Sequence, residues 1–282
     1  MSIQLEQSDY HDLKKAVALL ESPSVVARIS NIIGAPLEGA VKALPVSVSK
    51  KINGAVEAAL HKAASTALWS LKNEPNISAS TKLHKFYAAA TGAVGGAFGF
   101  TALFIELPIS TTIMMRSVAD VARSEGFDLN DFSTKHACIE VFALGGPSKK
   151  DDAAEAGYYI SRSFMTQSMH QLSKELAEIA AKQGSQAASK LGPTQTGKWL
   201  AGIIEKVATR FGIVITNKFA AQIVPVIGAV TGASLNTFFT DFYQDMARGH
   251  FIIKRLEIKY GYEQVESEYK KIVKGDKDPL YC

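Results

Sequence analysis

Cysteine is almost missing from this chain: Cys138 and Cys282 are the only two in 282 residues, far apart, and one is terminal. That excludes a disulfide-built fold and points to two reduced thiols. Several catalytic signatures are absent as well. The Gly-rich stretches lack the Gly-Lys-Ser/Thr of a phosphate-cradling loop and no strand precedes them, so nucleotide hydrolysis is disfavoured. There is no GxSxG nucleophile elbow and no HExxH pair, and His11, His61, His84, His170 and His250 show no paired spacing. His136, Cys138 and Glu140 alternate along a predicted helix, so successive members point about 200° apart and do not converge on one ion. No metal ion and no cofactor is expected.

Charge of one sign is also scarce. Lys and Arg total 13 against 13 acids over residues 1–141, and 18 against 14 over residues 142–282. The excess of +4 is too small for a nucleic-acid partner but suits an anionic lipid surface. The first residues, MSIQLEQSDYHDLKK, have no basic start leading into an apolar run, so no secretory signal is read there and a cytoplasmic protein is expected.

What is present is helix. Apolar residues make up 47% of the chain and recur at three- and four-residue spacing, while sustained alternation is hard to find. The spacing predicts an all-α single domain over 1–273 with a frayed C-terminal tail at 274–282. Helices are expected at 6–21, 23–34, 47–72, 81–105, 108–125, 130–143, 151–183, 194–221, 225–257 and 261–273. Turn-forming runs at 73–76, 145–148 and 192–193 separate them.

Two stretches carry no charge: Phe86–Ile105, 20 residues, and Phe219–Thr240, 22 residues. Either is long enough to cross a bilayer. The first has only seven residues from Leu, Ile, Val and Phe, and the second is interrupted by Gln222, Pro225, Ser234 and Asn236. Insertion therefore gains only a few kcal/mol. Core helices, reversible membrane docking and constitutive spans all stay open. Gly92, Gly95, Gly96 and Gly99 in the first stretch, and Gly228 and Gly232 in the second, include small residues four apart that let helix backbones approach closely. The expected centre is thus a pair of Gly/Ala-rich apolar helices covered by amphipathic ones.

The stretches share a further pattern. GAVGGA at 92–97 and GAVTGA at 228–233 are each followed by an Asp-x-Ala-Arg tetrad, at 120–123 and 245–248. This suggests two similar helical hairpins, with chance similarity as the alternative in so Ala- and Gly-rich a chain. Within each tetrad Asp and Arg stand one turn apart, where a surface ion pair forms unaided. The sharper reading gathers Arg116, Asp120, Arg123, Asp245 and Arg248 into a polar cluster that binds lipid phosphate or a partner. Glu106, before Pro108, is read either as stabilising the start of the next helix or as a buried functional carboxylate. Lys174, Lys182, Lys190, Lys198 and Lys206 recur every eight residues, a solubilising comb or a set of contacts to anionic lipid.

The pieces PSVVARISNIIGAPLE at 23–38, LPISTTIMMRSVADVARSEGFDL at 107–129, ACIEVFALGG at 137–146, VPVIGAVTGASLN at 224–236 and YQDMARGHFIIKRLEIKYG at 243–261 resemble the EcsC family of bacterial proteins. The resemblance implies a helical fold, and the family is named after a gene neighbour of an ABC transporter. It supplies no reaction, and the peptidase label of some members finds no nucleophile or metal site here. The expected function is a membrane-associated protein binding lipid or a membrane-protein partner, linked to transport or secretion, with the 23–34 helix and the second-half lysines meeting the surface. The alternatives are a hydrolase using Glu106, Arg116, Asp120, Asp241, Asp245 and His250, and a soluble scaffold.

Overall fold

The computed structural model describes residues 5–33, 38–70, 79–80, 82–85, 87, 99–144, 157–163, 193–223 and 232–275. They are helical, with no strand among them. The helices are α1 Gln7–Leu20, α2 Val25–Ile33, α3 Glu38–Lys42, α4 Val46–Ser70, α5 Gly99–Ser124, α6 Phe132–Glu140, α7 Pro193–Ile223, α8 Gly232–Tyr260 and α9 Tyr262–Lys274. A 3-10 turn, Val141–Ala143, extends α6. Residues 157–163 add a short helical segment.

Helices α7, α4, α5, α8 and α1 pack in that order, each on the next. The short α6 and its 3-10 turn touch α4, α5, α7 and α8, so this element lies at the centre. Its sequence explains why. Every residue from His136 to Ala143 is buried, the polar His136 and Glu140 included, so no side of this stretch is turned to water. Phe142 stacks on Tyr243 at 4.9 Å and meets Phe211 edge-on at 5.1 Å, tying α8 and α7 to it. By contrast α9 buries only Val265 and Tyr269 and is a cover helix.

Contacts between α5 and α8 advance together along both helices. Glu106 and Asn236 both meet Lys218, Gln244 Nε2 donates to Ser117 Oγ at 2.6 Å, and Arg248 faces Glu125 at 3.9 Å. The two helices therefore run parallel, with the two Asp-x-Ala-Arg tetrads at the same level.

Two expectations change. A helix start at Pro108 is replaced by a helix that runs through it, from Gly99 to Ser124. Proline there removes one backbone bond, at a cost of about 3 kcal/mol, so packing on α4 and α8 must carry the helix across it. The 23–34 helix forms as α2, but Val25 and Ile29 are spent on the core and the helix packs on α7. Val25 and Ile29 are therefore not free to meet a membrane surface. Of the glycines expected at tight crossings, Gly99 and Gly232 open α5 and α8, whereas Gly92, Gly95, Gly96 and Gly228 lie outside the described residues. A close crossing does occur at Gly249, where a methyl group would lie 2.6 Å from Leu20 Cγ and 3.2 Å from the Ala16 carbonyl oxygen.

Candidate functional site

The centre of the molecule is polar as well as apolar. His136 and Glu140, one turn apart on α6, share a face, and His250 of α8 joins them. Glu140 Oε2 is 3.9 Å from His136 Nδ1 and 3.6 Å from His250 Nε2. His250 Nδ1 is 2.9 Å from the Tyr158 hydroxyl, which accepts from Arg162 Nη1 at 3.4 Å. Arg162 clamps Glu257 with two bonds of 2.5 and 2.7 Å. Glu21 accepts from the backbone amides of Gly157 and Tyr158 and from the Tyr269 hydroxyl, holding the start of the 157–163 segment. Positions four apart on α6, His136 and Glu140, thus converge although neighbours in the alternating series do not.

Burial dominates the electrostatics of this cluster. It pushes His136 down to about 4, assisted by Lys254 and Arg162, and pushes His250 well below its ordinary value. It pushes the Glu140 carboxyl up, against the pull of Arg162 and Lys254. Tyr158 is likewise driven up, far from ionisation at neutral pH. The order Tyr158, His250, Glu140 imitates a nucleophile–base–orienter chain, yet all three are buried and Tyr158 stays protonated. The arrangement ties α6, α8 and the 157–163 segment together. Among the described residues no three His, Cys, Asp or Glu side chains are placed to hold a metal ion.

The predicted lipid-binding residues separate into distinct settings. Asp120 pairs with Arg123 and accepts from the Ser80 amide, with His84 Nε2 at 3.4 Å; burial raises its proton affinity but these partners bring it below the ordinary value. Asp245 is half-buried, its carboxyl pushed up by burial and by Asp241 and pulled back by Arg28, Lys85 and Arg248. Arg248 reaches Glu125, not Asp245, as its ion-pair partner. The residues grouped for hydrolysis divide too: Glu106 is on Lys218, Asp120 on Arg123, Asp241 on Lys85, and His250 on Tyr158. Because α8 is one helix from Gly232 to Tyr260, no bend brings the aspartates round to His250.

Arg116 differs from all of these. It is half-buried and has no ion-pair or hydrogen-bond partner among the described residues. It ends an outward stripe on α5 at helical spacing: Ile105, 69% exposed, Ile109, 48% exposed, then the half-buried Ile113. The model of the EcsC protein family matches residues 7–256. The chain belongs to the EcsC protein family. No curated protein and no solved structure matches it. The family match covers α1 through most of α8, so His136, Glu140, Tyr158, Arg162, His250 and the α5 stripe of this EcsC chain fall inside it, while Glu257 and Tyr269 lie beyond its end. Among the described residues, no helix is long and apolar enough to cross a membrane. Lys174, Lys182 and Lys190 of the lysine comb lie outside the described residues.

Proposed function

We propose that this EcsC protein is a peripheral, non-enzymatic binder of anionic membrane surfaces, docking from the cytosolic side through the outward stripe of α5. The observation that carries this reading is the run Ile105, Ile109, Ile113, Arg116: two exposed isoleucines and a half-buried one in line with an arginine that has no partner among the described residues. Isoleucine leaving water for the acyl boundary gains roughly 1.5–3 kcal/mol when fully buried. Arginine beside anionic lipid adds about 1 kcal/mol, and its planar fork suits a phosphate. Apolar burial is therefore the larger part, and salt weakens binding without abolishing it.

Flotation of the purified chain with phosphatidylglycerol-containing vesicles, at low and high salt, tests this. Binding is expected at both, lower at high salt. Ile105→Ser/Ile109→Ser removes binding at both salts, and Arg116→Gln removes the salt-sensitive part. No flotation of the parent chain under either condition would overturn the reading.

A further inference from the structure

Residues 157–163 are held from four sides. On α1, Glu21 accepts from the amides of Gly157 and Tyr158, each at 3.2 Å. On α7, Arg210 Nη2 donates to Ser161 Oγ at 3.1 Å. On α8, Glu257 accepts from the Tyr159 hydroxyl at 3.2 Å and from Arg162, and His250 meets Tyr158. On α9, Tyr269 lies against the rings of Tyr158 and Tyr159. The contact at His250 is enclosed on both sides, with His250 0% and Tyr158 3% exposed.

The hydrogens of that contact are fixed by what surrounds it. A guanidinium only donates, so the Tyr158 hydroxyl accepts from Arg162 Nη1 at 3.4 Å. Its own hydrogen is then free for His250 Nδ1, 2.9 Å away, and Nδ1 is the acceptor. The single ring hydrogen of the neutral imidazole therefore sits on Nε2, which faces Glu140 Oε2 at 3.6 Å. A second ring hydrogen has no place while Tyr158 is seated. On Nδ1 it would point at a phenol oxygen that Arg162 already serves, and the phenol hydrogen would lose its acceptor.

We propose that residues 157–163 form an acid-opened latch: His250 takes its second proton only when Tyr158 leaves it, so falling pH lifts this segment from α8 while the helices beneath stay folded.

The groups around His250 set the direction. Enclosure, with Lys254 one turn along α8, Arg162 of the latch and His136 of α6, holds its proton affinity well below the ordinary 6.5. Glu140 of α6 is the carboxyl that faces the ring, but burial raises its own proton affinity, so acid neutralises it. Glu257 is committed to Arg162 and Tyr159, and Glu21 of α1 to the latch amides and the Tyr269 hydroxyl. Once the latch lifts, Nδ1 meets water and the ring regains its ordinary affinity. Below 6.5 the open form therefore binds a proton that the seated form does not. The open fraction rises as pH falls, by about tenfold per unit, and levels off where the seated ring itself titrates.

Hydrogen exchange on the full chain, from about pH 7.5 to about pH 5.5 and with each rate divided by the intrinsic chemical rate at that pH, tests the latch. Amides of 157–163 are expected to be protected at neutral pH and to lose protection by about tenfold per unit below 6.5. Those of 114–122 in α5 are expected to keep theirs. His250→Asn retains an acceptor near the Nδ1 position and takes up no proton, so its 157–163 profile should be flat. His136→Gln lies outside the latch contact and should keep the parent slope. Nitrogen chemical shifts of the His250 ring in the parent chain locate its hydrogen, expected on Nε2. The two parent-chain measurements decide the matter if His250→Asn does not fold. A neutral ring with its hydrogen on Nδ1, a flat 157–163 profile in the parent, or equal loss of protection in 114–122 overturns the latch. So does a parent-like slope in His250→Asn, or loss of the slope in His136→Gln.

Discussion

Lys218 Nζ donates to Glu106 Oε1 at 2.8 Å although 112 residues separate them. The pair joins α7 to α5 deep in the structure, with Asn236 of α8 as the third member. Its burial makes the consequences of removing one member or both very different.

Lys218→Met leaves the Glu106 carboxylate without its cation, and the expected loss is about 3–5 kcal/mol in urea unfolding. Adding Glu106→Leu recovers most of that loss, because a buried pair replaced by apolar groups of similar volume is close to neutral. A double variant as unstable as the single would show that the lysine acts by packing and not by charge.

Gly249 and Gly212 give opposite expectations for the same substitution. A methyl at Gly249 would press on Leu20 Cγ at 2.6 Å and on the Ala16 carbonyl oxygen at 3.2 Å. Backbone cannot step aside, so Gly249→Ala should cost about 1–3 kcal/mol. At Gly212 the close atom is Asn53 Oδ1, 2.4 Å away at the tip of a side chain that can turn. Gly212→Ala also gains helix propensity, about 1 kcal/mol, and should be near neutral. Thermal unfolding of the two variants decides it; equal losses would mean that α1 and α8 do not cross at Gly249.

The buried imidazoles make stability depend on pH. Burial lowers His136 to about 4 from its ordinary 6.5, so between those values the unfolded chain binds more protons than the folded one. Stability is therefore full above 6.5 and is lost as pH falls toward 4, by at most about 1.4 kcal/mol per pH unit per histidine. His250 acts in the same sense. Glu140 opposes them: its affinity is raised by burial, so its contribution is lost as pH rises past the unfolded value of 4.5. Two imidazoles outweigh one carboxyl. Glu140→Gln should steepen the acid loss of stability and His136→Gln should flatten it, read from urea unfolding between about pH 4.5 and about pH 7. Identical slopes in the three proteins would refute the assignment.

Much of the helical pattern was readable in advance because a three- to four-residue apolar repeat is local information. α1, α2, α4, α7 and α9 lie within a few residues of their predicted bounds. α3, only five residues long, gave no repeat to find. Pro108 misled, since its local preference to begin a helix was overridden by packing on either side. The candidate site was less legible. Asp120 and Arg123 pair as a one-turn spacing suggests, but nothing in the order of residues indicated that Arg248 would turn to Glu125, or that Arg116 would have no partner among the described residues. The cluster around α6 was missed because its members come from α6, 157–163 and α8. The usable signal was the His136–Glu140 spacing of four in a stretch whose other members, 137–139 and 141–144, are all apolar.

By itself the amino-acid order determined that this protein is helical, which faces of its helices are apolar, and where charge stops and starts along the chain, because those properties depend only on neighbours within a turn or two. The tertiary structure alone decided which charge meets which. Lys85 with Asp241, Glu106 with Lys218 and His250 with Tyr158 are each set by how distant helices pack, and an ion pair across the interior leaves no trace in local spacing.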